Sequence, residues 1–395
     1  MIIKPRFKKF FCITSHPIGC EYNIYNQINY VKKRYNFIKN GPKKVLIIGS
    51  SSGFGLASRI VTSFGFEAKT IGVFLEKKNF FLNFSNEGWY NAASFNKFSK
   101  ILGLYSKNIN CDAFSDECKN KVINLIKKDL GKIDLVIYSI SAKYKILKNN
   151  KVINAVIKPI KRQYTNKTIN ITKNKILKST IKAANLKEIK DTISVMGGSD
   201  WELWMLKLKE ANVLEKGVIS IAYSCISNKI ITPIYKNGTF GLAKSDFNRS
   251  AIKIKKILKN LNAIVNVVIL KTTITKSNYL NPYMNLYISI LYKVMKEKNL
   301  HEDCIGQIFR LMTTCLYNKS YKTDKYNRIR MDNWEQKKTV QNKCKKIWSI
   351  VNSNNFKENT DYFNCKRDFL RLFGFSLSEI NYKVDINTNV NLDII

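Results

Sequence analysis

The stretch Lys43-Lys44-Val45-Leu46-Ile47-Ile48-Gly49-Ser50-Ser51-Ser52-Gly53-Phe54-Gly55-Leu56-Ala57-Ser58-Arg59-Ile60 decides the fold. Two lysines lead into a short run that is oily on both faces, the pattern of a buried parallel strand. The run stops at Gly49, small residues fill the turn, and Leu56, Ala57 and Ile60 open a helical period. Strand, glycine turn and helix together make a phosphate cradle, because free N–H groups and the dipole at a helix start attract an anion. Gly53 and Gly55 let a pyrophosphate approach where a side chain would block it.

The spacing Gly49, Gly53, Gly55 leaves three residues in the first gap, unlike G-x-G-x-x-G, and is typical of short-chain reductases. Alone it also suits an ordinary strand-to-helix turn. The next apolar strand, residues 69–76, ends in Glu76, twenty-one positions after Gly55. An acid about 20 residues on holds a ribose 2′-hydroxyl in dinucleotide-binding folds. A carboxylate there repels a 2′-phosphate and favours NADH over NADPH, a preference that Lys77 and Lys78 soften.

With 395 residues, 45% hydrophobic and 12% aromatic, the chain can bury a large core and is no disordered polymer. A net charge of +40 raises the question of nucleic acid. The excess is Lys rather than Arg, accompanied by abundant Asn, Ile, Tyr and Phe, all encoded by adenine- and thymine-rich codons. The lysines are scattered and no nucleic-acid module is present, so nucleic acid is not expected as the main partner. Attraction to an acidic protein or to the phosphates of a substrate carrier is the milder use of that charge. Nine cysteines, without a C-x-x-C pair, read as reduced intracellular thiols. Two histidines, His16 and His301, argue against a His-based metal centre. The basic residues 1–12 lack the apolar core of a signal peptide, and the longest oily run, 286–292, is too short to span a bilayer. A soluble, cytoplasmic protein is expected.

Along the chain, helices are expected at 23–33, 116–129 and 240–260, and a loop at 86–91 leads into a helix ending near Leu102. Further strands are expected at 108–114, 133–139, 218–224 and 263–270, and a helix capped by residues 196–201 runs to about Leu214. Alternating strands and helices predict an α/β fold, a Rossmann-like doubly wound parallel sheet related to short-chain reductases. Residues 142–186 are β-branched, polar and turn-rich, which predicts a small antiparallel insertion over the site or on the surface. Without repeats or a linker, residues 1–395 read as a single domain, with a core at 43–300 and a C-terminal helical extension at 301–395. Asp112, at a strand's carboxyl end, suits either an adenine contact or a plain turn or N-cap residue.

The second informative stretch is Ile231-Thr232-Pro233-Ile234-Tyr235-Lys236-Asn237-Gly238-Thr239-Phe240-Gly241-Leu242-Ala243-Lys244. Short-chain reductases pair a tyrosine and a lysine around the oxygen that becomes negative as hydride arrives. On one helix that pairing needs a four-residue step. Here the step is nine, which reaches the opposite helix face. Tyr235 and Lys244 therefore share a site only if the tyrosine precedes the helix, with Asn237-Gly238 as turn and Thr239 as N-cap. An ammonium about 5 Å from the phenol, at an effective dielectric near 20, contributes roughly 3 kcal/mol and lowers the phenol to about 8. In a chain with 20 tyrosines, a packed Tyr235 and a surface Lys244 remain the plain alternative.

The chain resembles the FabV-type trans-2-enoyl reductases, the enoyl-[acyl-carrier-protein] reductases and trans-2-enoyl-CoA reductases, nearly end to end. Besides the glycine turn, the likeness lies in Met1-Ile2-Ile3-Lys4-Pro5, Thr14-Ser15-His16-Pro17-Ile18-Gly19-Cys20, Gly88-Trp89-Tyr90-Asn91 and Asp112-Ala113-Phe114-Ser115. It continues in Val195-Met196-Gly197-Gly198, Met295-Lys296-Glu297-Lys298, Asp332-Asn333-Trp334-Glu335 and Phe369-Leu370-Arg371-Leu372-Phe373-Gly374-Phe375. A tyrosine and lysine with eight residues between is that family's own spacing. The resemblance implies hydride transfer from NADH to C3 of a trans-2-enoyl thioester, carried on acyl carrier protein or CoA, and protonation at C2. Tyr235 then stabilises the enolate oxygen and donates a proton, while Lys244 binds the cofactor and tunes Tyr235. The implied cofactor contacts are Gly49, Ser50, Ser51, Ser52, Gly53, Phe54, Leu75, Glu76, Asp112, Ala113, Ile140, Ser141, Thr273, Ile274 and Thr275. The resemblance also implies a monomer in type II fatty-acid synthesis that uses no metal. Two departures stand out. Lys236-Asn237-Gly238 stands for Trp-His-Gly, and Cys225 stands where the family has a second, substrate-contacting tyrosine. A slow but working enzyme is expected, with a 3-oxoacyl thioester reductase or a lapsed NAD- or polyanion-binding protein as alternatives.

Overall fold

The computed structural model describes residues 1–8, 11–34, 40–79, 84–170, 174–226, 228, 230–279, 281, 283–317 and 322–395. Parts of the basic amino terminus and of the 142–186 insertion, and the Lys78 side chain, lie outside that set. Among the described residues the central element is a seven-stranded sheet. Its order is Arg328–Arg330, Ile264–Ile269, Leu214–Ser224, Ile133–Tyr138, Lys44–Ile48, Lys69–Phe74 and Ser106–Asn110. Every neighbouring pair is parallel.

The run 45–48 lies in the middle of this sheet because it is apolar on both faces. Leu46 and Ile48 pack on one side, against Val122 and Ile126 of the helix Asp116–Asp129, Trp201 and Trp204 of Ser199–Glu210, and Phe247 of Thr239–Ile257. Val45 and Ile47 pack on the other, against Ile24 and Ile28 of Pro17–Lys32, Leu56 and Ile60 of Gly53–Phe66, and Ile305 and Ile308 of Cys304–Arg310. This two-residue alternation accounts for the helical layers on both faces. Each fully buried aliphatic side chain contributes roughly 1.5–3 kcal/mol.

The strand order turns about Lys44–Ile48, whose sequence successors run outward on one side before the chain crosses to Ile133–Tyr138 on the other. Ligands of doubly wound sheets bind beyond the strand ends at such a reversal. Gly49 lies there, its N–H donating to the Val73 carbonyl at 2.8 Å while the Ser139 N–H donates to the Ile48 carbonyl at 2.8 Å.

The insertion consists of two antiparallel hairpins, Tyr144–Ile146 with Val152–Asn154 and Tyr164–Asn170 with Lys175–Ile181. It is tied inward: the Tyr164 hydroxyl donates to the Ile230 carbonyl at 3.0 Å, and Pro159 bridges to Gly238. Lys167 donates to the carbonyls of Trp348, Ser349 and Val351, closing the C-terminus of the helix Lys338–Ile350 with a cation where the dipole favours one.

Several sequence expectations need correction. The helix expected at 23–33 is Pro17–Lys32, with His16 as N-cap accepting from the Gly19 N–H and proline in its first turn. Residues 87–91 belong to the helix Glu87–Ile101, capped by Asn86, rather than to a loop. A helix absent from the expectation, Leu186–Met196, opens with a capping box between Asn185 and Glu188. The region after residue 300 is mostly helical but adds the edge strand Arg328–Arg330. Cys111 and Cys118 are joined in a disulfide, not reduced, because the strand-to-helix turn brings their Cα atoms to 5.7 Å; the other seven cysteines are free.

Candidate active site

The glycine turn has the geometry a pyrophosphate needs. Gly49 and Gly53 have φ of +92° and +55°, in the left-handed region that favours glycine. A Cβ on Gly55 would strike the Gly49 carbonyl, so the first turn of the helix Gly53–Phe66 can close on the strand end only without one. Ser52 is the N-cap and makes no side-chain capping bond, which leaves the leading N–H groups of the helix to an incoming anion. A Cβ on Gly53 would lie 3.7 Å from the Thr275 methyl, so the loop after Ile264–Ile269 borders the turn. Ser50 is held by the Val73 carbonyl, and Phe54 packs near Tyr223 with ring centroids 6.2 Å apart. Ser139 lies against Gly49 and Gly55, placing the following Ile140 and Ser141 beside the same turn.

Glu76 follows the strand Lys69–Phe74. Its carboxylate accepts from the Ser51 hydroxyl at 2.6 Å and from the Asn86 amide. The Asn110 amide brackets its backbone, accepting from the Glu76 N–H and donating to the Glu76 carbonyl, both at 2.8 Å. Burial pushes the carboxyl above the usual range, against the pull of Ser51. Leu75 is 53% exposed. Asp112 shows the turn geometry of the plainer expectation, accepting from the Phe114 N–H at 2.9 Å, while the helix N-cap is Ser115. Thr273 and Ile274 are held by one phenol, the Tyr292 hydroxyl, which lies 2.6 Å from the Thr273 hydroxyl and 2.8 Å from the Ile274 nitrogen.

Tyr235 precedes its helix, as the nine-residue step requires. The helix is Thr239–Ile257 with Gly238 as N-cap. Thr239 is therefore not the cap; its hydroxyl donates to the Val156 carbonyl and its N–H to the Lys158 carbonyl, clamping the helix start to the insertion. The Tyr235 N–H donates to the Ile231 carbonyl at 3.1 Å, and a Cβ on Gly241 would strike the Tyr235 carbonyl. Tyr235 and Lys244 both lie against Phe240: the Tyr235 ring centroid is 5.1 Å from the Phe240 centroid, and the Lys244 Nζ 5.3 Å from it. Lys244 is half-buried, its Nζ also 4.7 Å from the Phe247 ring centre. Ile274 of the cofactor-side loop belongs to the same buried cluster as Tyr235 and Phe240, and Cys225 packs against it.

The expected lowering of the phenol is not found. Burial, with a smaller contribution from Cys225, holds the Tyr235 hydroxyl well above the usual phenol range. Burial lowers Lys244 from the usual lysine value. Burial pushes the Cys225 thiol up to about 11, against the pull of Lys244. At neutral pH the site therefore presents a protonated phenol and a protonated thiol.

Residues 83–317 match the family described as "Trans-2-enoyl-CoA reductase catalytic region", and residues 2–80 its "NAD(P)H binding domain". The chain belongs to the trans-2-enoyl-CoA reductase family. A relative in this family, the enoyl-[acyl-carrier-protein] reductase [NADH] FabV of Aeromonas salmonicida, is 47% identical over the whole of both chains. The trans-2-enoyl-CoA reductase [NADH] of Ruminiclostridium cellulolyticum is 45% identical, covering 100% of this chain and 99% of the other. The crystal structure of the Clostridium acetobutulicum trans-2-enoyl-CoA reductase in complex with NADH superposes with a TM-score of 0.95 at 40% identity, over 99% of this chain and 100% of that one. The Treponema denticola trans-2-enoyl-CoA reductase in complex with NAD gives 0.95 at 37% identity, over 99% of each chain.

Residues 323–386 match a segment described as "Enoyl reductase FAD binding domain". Here the segment makes no second dinucleotide cradle among the described residues. Its one glycine, Gly374, lies against the His16 carbonyl and the Cys20 nitrogen, and the helix Lys338–Ile350 follows no glycine turn. No flavin step is drawn for this member of the reductase family.

Sequence patterns had not marked Asn86, Asn110 or Tyr292 as supports of the site. Their partners lie between 10 and 34 positions away in sequence, and only the Asn-before-helix pattern at Asn86 offered a local signal.

Proposed function

We propose that this chain reduces the C2=C3 double bond of trans-2-enoyl thioesters with NADH, as the last reductive step of fatty-acid elongation. The observation that carries it is the convergence of an unbonded, buried phenol and a lysine on Phe240, beside the loop that borders the glycine turn. The donors fit a dinucleotide: free N–H groups at a helix start, a cradle that a Cβ would fill, and a carboxylate where an adenosine ribose would lie.

Bound NADH supplies the hydride that adds to C3. Tyr235, protonated throughout the neutral range, donates a hydrogen bond to the thioester oxygen as it gains charge, and supplies the proton that completes C2. Lys244 places a cation on the same side, favouring that charge and holding the cofactor ribose. Residues 49–54 and 273–275 take the pyrophosphate and nicotinamide side. Ser51, Asn86 and Asn110 fix Glu76 toward the ribose 2′-hydroxyl. The insertion clamps the start of the catalytic helix through Val156, Lys158 and Pro159. Cys225 contributes a small neutral thiol to the substrate side.

The substrate rides on acyl carrier protein or CoA and the enzyme acts as a monomer, both on the family likeness; a cytoplasmic site is the reading of the sequence. No helix of the described residues is long and apolar enough to cross a membrane. The test is NADH consumption with crotonyl-CoA, crotonyl-acyl-carrier protein and acetoacetyl-CoA. Turnover of the crotonyl thioesters above a Tyr235→Phe control supports the assignment. Turnover of acetoacetyl-CoA alone, or of none, rejects it.

A further inference from the structure

The turn after the strand Ser106–Asn110 carries Asp112 and Ala113, which the family likeness implies are cofactor contacts. Asp112 is spent within the turn, so what fixes Ala113 is not local. The Ala113 carbonyl accepts from the Lys119 ammonium at 2.8 Å and from the Trp204 indole N–H at 3.1 Å. Lys119, 1% exposed, also donates to Asp200 Oδ1 at 2.9 Å, and Asp200 is 2% exposed. The other carboxylate oxygen accepts from the Tyr138 hydroxyl at 3.1 Å. Tyr138 ends the strand Ile133–Tyr138, from which the chain passes directly into Ser139, Ile140 and Ser141. One buried chain of hydrogen bonds thus links Ala113 to the strand end that presents Ile140 and Ser141.

A fully buried ion pair is a weak source of stability, because desolvation offsets most of its attraction; apolar replacements are often neutral or better. Apolar surface adjoins this one, with the Trp204 ring centre 5.0 Å from the Lys119 Nζ and Phe247 beside Tyr138, while the Lys145 charge also reaches Asp200. The ammonium does something a hydrocarbon cannot: it grips a backbone carbonyl of the turn and a carboxylate on another helix together.

We propose that Lys119 and Asp200 are positioning residues for NADH, holding the Ala113 turn at a fixed distance from the Ile140–Ser141 loop so that the adenine side of the dinucleotide is preformed. This rests on the NADH-dependent activity proposed above and on the contacts at Ala113, Ile140 and Ser141 that the family likeness implies. Neither residue touches the reacting atoms; both act on cofactor affinity.

The experiment compares Lys119→Met, the charge-neutral pair Lys119→Met with Asp200→Asn, and Ser141→Trp, with thermal melting followed for each. Lys119→Met is expected to raise KM for NADH about tenfold or more, the size of one charge-assisted hydrogen bond, with kcat at saturating NADH and KM for crotonyl-CoA held within about twofold. The double variant removes the stranded buried carboxylate and is expected to regain melting temperature while keeping the raised KM for NADH, since Ala113 still lacks its ammonium. Recovery of both together in the double variant shows a purely structural role and overturns the proposal. So does a fall in kcat at unchanged KM for NADH. Ser141 is exposed and tolerates bulk, so Ser141→Trp tests the cofactor placement separately. A raised KM for NADH supports that placement. An unchanged KM shows that the placement has failed, whatever Lys119 does.

Discussion

Replacing Tyr235 by phenylalanine separates stability from catalysis unusually well in this site. Tyr235 is 3% exposed, its ring packs edge-to-face on Phe240, and its hydroxyl makes no hydrogen bond to any described residue. Removing the hydroxyl breaks no bond of the fold. It removes a polar atom that no described residue bonds, so the variant is expected to be as stable as the parent within about 1 kcal/mol. In a chain of 395 residues that is a shift in Tm of only about 1 °C. The same atom is the proposed donor to the developing oxyanion, and losing one such donor costs about 10²–10³ in kcat. Thermal melting and NADH oxidation with crotonyl-CoA, run on one preparation, read both quantities. Because the phenol titrates well above its usual range, parent activity is also expected to show no loss from tyrosine ionisation through the neutral and mildly alkaline region. A variant that retains its rate within about tenfold, or that unfolds several degrees earlier, refutes the assigned role.

Other sites give further tests. Glu76→Gln removes the charge facing a 2′-phosphate, so kcat/KM with NADPH is expected to rise about tenfold or more while that with NADH falls; an unchanged ratio of the two removes Glu76 from the ribose site. Cys225→Tyr restores a phenol where only a weak thiol donor stands, and is expected to lower KM for crotonyl-CoA about tenfold, read from initial rates. His301 is held down to about 3 by burial and by the nearby Lys271 and Lys296 ammoniums. Between about 3 and 6.5 the unfolded chain therefore binds one more proton than the folded one, and stability falls as pH drops through that window. In urea unfolding, His301→Gln is expected to flatten that dependence by up to about 1.4 kcal/mol per pH unit.

The strands were legible because their chemistry is local: runs such as 45–48 and 264–269 are apolar on both faces and admit few other placements. The helix Asp116–Asp129 has the expected bounds because Ser115 caps it, acids fill its first turn, and Gly131 at φ +71° ends it. The edge strand Arg328–Arg330 was not legible, since Arg-Ile-Arg has no apolar run and joins the sheet through Val267–Ile269, far away in sequence. The capping box at Asn185 was local and readable, yet lay inside a polar, turn-rich stretch that masked it. In the site, the spacing from Tyr235 to Lys244 correctly required a phenol before the helix. Its ionisation was misjudged because burial and Cys225, not Lys244, set the state of the phenol, which no spacing reveals. Lys119 and Asp200, 81 residues apart, were invisible for the same reason: only the folded sheet brings them together.

The most direct measurement of the central claim follows the hydrogen itself. NADH carrying deuterium at the nicotinamide C4 is incubated with crotonyl-CoA and the chain, and the product is examined by NMR. Butyryl-CoA with deuterium at C3 and a solvent proton at C2 is the predicted result. Absence of saturated product, or deuterium appearing at C2 instead, would contradict hydride delivery to C3 with Tyr235 serving the oxygen.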